Sequence, residues 1–174
     1  MYKKYTMIPL IFFYLMSLGC SAKEHKGDSV SVSFLVYNYS TLNLEDVTVE
    51  GQGHEIVDAA KKIGDVAATG VSCCIDIPQK QYVEISYITN EGGKNQKHKI
   101  QAFVENFNDK PRSYAVLHFL PNNTAVLELA MRWPSPRKDL LFKATKNKNI
   151  KLESASMWDD KSENEAAKKS TLDY

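Results

Sequence analysis

Apolar residues fall at every second position through much of this chain, and that period constrains its fold more than any other feature. Val30, Val32, Phe34 and Val36 alternate with Ser29, Ser31, Ser33 and Leu35. Successive side chains of a strand point to opposite faces of a sheet, so this pattern builds strands with one apolar face. It returns where Val47 and Val49 alternate with Thr48 and Glu50. It returns again where Val83, Ile85 and Tyr87 alternate with Tyr82, Glu84, Ser86 and Ile88. Residues 70–77 (GVSCCIDI) are another β-prone run, closed by Pro78. Residues 90–93 (NEGG) supply turn chemistry, because Asn and Gly accept positive φ, and a return strand over residues 96–104 completes a hairpin. Residues 114–120 (YAVLHFL) and 125–130 (AVLELA) flank Pro121-Asn122-Asn123, a second hairpin signal.

These signals predict a mainly β domain over residues 29–142, a compact antiparallel β-sandwich or curled sheet of about six to seven strands with little helix. Residues 58–66 (DAAKKIGDV) are its main helix-like piece, read as a loop carrying one or two helical turns. From residue 143 to 174 the chain turns Lys-rich and polar. It lacks an apolar face there, so it is expected to be a flexible tail, with residues 163–169 (ENEAAKK) at most a frayed helix. Met157 and Trp158 are the exceptions in the tail, suited to docking on the domain or to contacting a partner. The charge balance is even, 22 Lys+Arg against 21 Asp+Glu, which leaves no large field to recruit nucleic acid or anionic lipid. A hydrophobic fraction of 43% with 25% charged residues excludes wholesale disorder and a multi-span membrane protein.

The N-terminus reads as an address. Lys3 and Lys4 precede an apolar stretch over residues 7–18 (MIPLIFFYLMSL), of signal-peptide length and short of a bilayer span. Gly19 and Cys20 follow. This start resembles a bacterial lipoprotein signal, in which peptidase cleavage leaves a lipidated cysteine at the new N-terminus. Ser17 and Leu18 depart from the usual lipobox by exchanging its small and leucine positions. Ordinary signal cleavage after Ala22 is the competing reading, and it would discard Cys20. Under the lipoprotein reading, residues 1–19 are signal peptide and residues 20–28 a lipidated tether. Three acyl chains on Cys20 then exceed what stable anchoring needs. Ser21 stands where Asp would mark inner-membrane retention, so the expected location is the cell envelope, lipid-anchored to the outer membrane and facing the periplasm.

Few residues carry a chemical signature. Cys73 and Cys74 are adjacent, and three readings compete: a vicinal disulfide, two buried thiols acting as small hydrophobes, and a soft-metal site such as one for Cu(I). His25, His54, His98 and His118 form no HExxH or similar ligand pair, and no GxSxG, SxxK or cofactor fingerprint is present. Catalysis therefore has no positive support, and no catalytic residue, metal site or cofactor is assigned. His118 shares a strand face with Tyr114, Val116 and Leu120, as a satisfied sheet histidine would. His54 follows Gly51-Gln52-Gly53, read as a turn. Trp133 opens a Trp-Pro-Ser-Pro segment that leaves the sheet. It is either a cap on the core or an aromatic contact for a partner, and Arg132, Arg137 and Lys138 give it a basic rim. His54, Arg132, Trp133 and Arg137 are the candidate partner-binding residues.

Several of these features occur in one order: a lipidated start, an early strand VSFLVYNYS, the stretch GQGH, the double cysteine in GVSCCIDIP, the strand YVEISYIT and a late HFLP. In that order, over roughly residues 30–141, the chain resembles a family of small bacterial lipoproteins defined only as a domain of unknown function. Its Lys-rich tail departs from that family. Family members are often encoded beside phospholipase-type effectors of type VI secretion systems. The resemblance thus implies an immunity protein that sterically blocks a secreted lipase-type effector and contacts the membrane only through its lipid. Two other classes stand beside it: an envelope assembly or structural lipoprotein, and a copper or redox protein using Cys73 and Cys74.

Overall fold

The computed structural model describes residues 29–106 and 112–152. The expected lipidation site Cys20, the expected signal and tether, and the expected tail from residue 153 with Met157 and Trp158 lie outside the described residues. The described chain is mainly β, a nearly closed curled sheet of nine strands with one helix. The strands are β1 (Ser29–Asn38), β2 (Leu44–Val49), β3 (Gln52–Val57), β4 (Ala67–Ala68), β5 (Ser72–Pro78), β6 (Tyr82–Glu91), β7 (Lys94–Glu105), β8 (Tyr114–Phe119) and β9 (Ala125–Ala130). The helix is α1 (Lys138–Thr145). Around the sheet the order is β3-β2-β6-β7-β9-β8-β1-β4, and β5 also pairs with β1.

The hairpins follow from their turns. Glu91 faces Lys94 across Gly92 and Gly93, both at positive φ (60° and 79°), the tight connection that suits twisted antiparallel strands. Lys94, Lys97 and Lys99 lie on the part of β7 that has no second strand partner among the described residues, and charge on such an edge discourages stray pairing. The β8–β9 hairpin folds back so that β9 slots between β8 and β7. This makes two pairs parallel, β7 with β9 and β1 with β8. The sheet is therefore not wholly antiparallel as expected. A parallel neighbour arises wherever the chain crosses over before returning, and hairpin signals report only local antiparallel pairs.

Alternation puts Phe34, Val36, Val47, Val83, Ile85, Leu117 and Leu127 into the interior of the curl. The outer face of β1 and β8 is also covered. Leu35, Tyr37 and Val116 meet Tyr39, Leu120, Leu140 and Leu141, with Ala144, Ile150 and Leu152 packed alongside. The expected domain boundary at residues 142/143 falls inside α1, and the chain packs against the sheet as far as Leu152. Residues 58–66 form no helix. Their backbone is engaged elsewhere: the Asp58 carbonyl accepts from Asn38 Nδ2, the Ala59 N–H donates to Asn43 Oδ1, and the Ala60 N–H donates to the Ser40 carbonyl.

The curl closes at a seam between β3 and β5. The Gln52 side-chain amide donates to the Asp76 carbonyl (3.2 Å) and accepts from the Asp76 N–H (2.9 Å), so it substitutes for a ladder pair. Gly53, at φ 110°, lets β3 lie directly on Phe34; a Cβ there would stand 2.8 Å from the ring.

Candidate functional site

The outer face of β8 and β9 carries a polar cluster that the apolar pattern does not announce. Glu105 on β7 and Glu128 on β9 are register partners, so two carboxylates stand side by side. Like charges in that position repel unless a cation separates them. Arg137, the residue before α1, supplies it. Its Nη1 donates to Glu105 Oε2 at 2.8 Å and to Glu128 Oε2 at 3.1 Å, while Nε and Nη2 hold both oxygens of Asp139 at 2.8 and 2.7 Å. The same residue closes a ring of hydrogen bonds. Its backbone N–H donates to the Tyr39 hydroxyl (2.8 Å), which lies 2.8 Å from His118 Nδ1, and His118 Nε2 lies 3.2 Å from Glu128 Oε2. Facing a carboxylate, Nε2 is the protonated nitrogen, which leaves Nδ1 to accept from Tyr39. The His118 ring is also stacked between Tyr37 and Tyr39, at 5.7 and 5.9 Å between centroids. Among the described residues no buried side-chain nitrogen or oxygen is left without a partner.

The charges settle one another. Burial pushes the Glu128 carboxyl up, but the His118 hydrogen bond and the Arg137 charge outweigh it and hold it below the usual carboxylate range. Burial alone would lower the Arg137 pKa. The hydrogen bonds to Asp139 and Glu105, with the two glutamate charges, more than reverse this and raise it. Burial raises Tyr39 well above the ordinary phenol value, so it stays a hydroxyl. A depressed folded-state carboxyl contributes stability above its unfolded pKa and loses it as pH falls through its folded value. Stability should therefore decline below about pH 4.5, and the Glu128→Gln variant should decline less steeply. Urea denaturation from about pH 6 to about pH 3 reads the difference, and identical slopes would show that Glu128 is not a source of the acid sensitivity.

Of the candidate contact residues, Arg137 is corrected. It is 2% exposed and lies beneath the surface, because two adjacent glutamates need its charge. Arg132 and Trp133 are exposed, Trp133 to 64%. The indole packs edge-on against Tyr114 (centroids 5.7 Å apart). The segment behind it is fixed: Pro134, Pro136 and Arg137 are buried, and the Tyr37 hydroxyl donates to the Pro134 carbonyl at 2.9 Å. Trp133 is thus an exposed aromatic on a pinned base rather than a cap on the core.

His54 does not join them. It lies on β3 at the seam, exposed, with Nδ1 2.6 Å from Asp46 Oδ1. The expected GQGH turn is instead the tight Glu50–Gly51 connection followed by β3 itself. Cys73 and Cys74 are joined as a vicinal disulfide, and both are exposed, which overturns the buried-thiol reading. The register explains their exposure. Ile75 pairs with Val32 and Ser72 with Phe34, so two cysteines stand opposite the single residue Ser33 in a bulge. A bulge breaks the rule that neighbours face opposite sides. Among the described residues no group of three or more His, Cys, Asp or Glu side chains is placed to hold a metal ion.

Sequence reasoning missed Tyr39, Glu105, Glu128, Asp139 and Gln52. One signal was available: Glu128 is the only charged residue in the apolar run AVLELA, and a buried acid requires a cation. No protein-family model matches this chain, and no curated protein matches it.

Proposed function

We propose that the chain is a lipid-anchored binding protein of the cell envelope, and that it silences a secreted lipase-type effector by covering its active-site mouth, as a type VI secretion immunity protein does. The observation that carries this reading is Trp133, an exposed indole on a segment held by Pro134, Pro136 and Arg137. A pre-positioned aromatic pays little ordering cost on binding and suits a central anchor. A lipase mouth admits acyl chains, so its rim is apolar and complementary to an indole. Met131 and Arg132 stand exposed beside it, an apolar and a cationic neighbour for the rim of the contact. The near-neutral charge of the whole chain fits recognition by shape and apolar contact rather than by long-range steering. A lipid anchor at Cys20 supports the same reading, because it concentrates the inhibitor at the surface the toxin attacks.

The test is a pull-down of the full mature chain against the product of a neighbouring effector-like gene, coupled to a lipase assay. The expected result is a stoichiometric complex without lipase activity. Retention of envelope-assembly proteins, with lipase activity untouched, would move the chain into the assembly class.

A further inference from the structure

We propose that Cys73 and Cys74 form a thiol–disulfide exchange site that accepts electrons from an external dithiol. The inference is independent of the binding reading. Exchange needs a sulfur that an incoming thiolate can reach from solvent. Both cysteines are exposed, in a bulge of β5 that turns them outward together. Their surroundings are open as well. Val71, just before β5, is exposed, and the Gln52–Asp76 link joins β5 to β3, a strand that itself carries the exposed Ile56 (71%) and His54. The site is thus accessible to a dithiol on a protein surface as well as to a small one.

The chemistry closes without other reactants. One thiolate of the dithiol attacks a sulfur of the pair, the Cys73–Cys74 bond breaks, and a mixed disulfide forms while the other cysteine leaves as a thiolate and takes up a proton. The second thiol of the dithiol, on losing its proton, attacks the mixed disulfide and releases the remaining cysteine, which is protonated in turn. Two electrons and two protons pass to the protein, and the dithiol becomes a disulfide. The fold is built to survive the change. The β1–β5 pairs from Ser29↔Pro78 to Val32↔Ile75 and the Gln52–Asp76 link run through backbone and amide groups, and none runs through sulfur.

The full chain, never exposed to reductant, is treated under native conditions with dithiothreitol or with reduced thioredoxin. It is then alkylated, and labels are located by peptide mass spectrometry so that Cys20 is counted separately. The expected result is no label on Cys73 or Cys74 before treatment and complete labelling of both after it, with an unchanged β-sheet circular dichroism spectrum. Reaction with both reagents supports a protein dithiol as donor, and reaction with dithiothreitol alone supports a small one. Labelling that appears only after denaturant is added would overturn the proposal, because the folded protein would then exclude the exchange. Full labelling of the untreated protein would overturn it equally, because there would be no disulfide to exchange.

Discussion

Replacing Arg137 with Ala should destabilise the domain by about 3–5 kcal/mol, the usual cost of removing one partner from a buried charge pair. The reason lies in what is left behind. Glu105 and Glu128 remain side by side on β7 and β9, Asp139 loses both of its donors from Arg137, and Glu128 keeps only its hydrogen bonds, from His118 and Asn106 among those shown. A domain of this size has roughly 5–15 kcal/mol of total stability, so the variant should be marginal or unfolded. Lysine should not restore it, since an ammonium cannot hold Asp139 through a fork while bridging two glutamates. Arg137→Met combined with Glu105→Gln and Glu128→Gln should recover most of the loss, because the charges that needed neutralising are gone. Urea denaturation of the three variants decides the matter. A single Arg137→Ala variant within about 1 kcal/mol of the parent would mean that the glutamates find solvent when the arginine leaves. The cluster would then be no more than a surface ion pair.

The same residue shows where sequence reading succeeds and where it stops. Several strand positions are legible: β6 lies where its period-two alternation puts it, β8 and β9 lie on the apolar runs that flank Pro121-Asn122-Asn123, and the Gly92–Gly93 turn lies within the NEGG signal. Strand count and pairing are less legible. β3 contains Gly53 and the positive-φ residue His54, a composition that reads as a turn, and it is a strand only because β2 and Phe34 lie against it. α1 has only eight residues, too short to be a stable helix by itself; Leu140 and Leu141 pack it against the outer cluster of β1 and β8. Arg137 reads as a rim residue in the sequence because it flanks the Trp-Pro-Ser-Pro segment together with Arg132 and Lys138. Its burial depends on Glu105, 32 residues away, and on Tyr39, 98 residues away, and no local pattern encodes such distances. The cysteine pair failed in the opposite direction. Alternation predicts one inward and one outward side chain, and the bulge opposite Ser33 cancels the rule.

Under the proposed binding reading, replacing Trp133 with Ala should leave stability nearly unchanged and remove most of the affinity for the effector. The stability effect should stay within about 0.5 kcal/mol beyond the loss of the Tyr114 contact, as for other exposed positions. The affinity effect should reach about 2–4 kcal/mol, roughly 30-fold to 1,000-fold in Kd, the range for an aromatic anchor at the centre of an interface. Trp133→Phe should recover part of it by keeping an aromatic against Tyr114. The loss should appear in the dissociation rate, since no charge is altered and steering is unaffected. Titration of the full mature chain into the captured effector, followed by residual lipase activity, measures affinity and inhibition together. Undiminished inhibition by Trp133→Ala would remove the observation on which the binding reading rests and shift attention to the seam at His54. The Trp133 and Arg137 effects are linked, because Arg137 fixes the segment that presents the indole. Arg137→Lys, if folded, should weaken binding without touching any contacting atom, whereas Trp133→Ala should weaken binding without loosening the cluster. That asymmetry separates an anchor from the base that holds it.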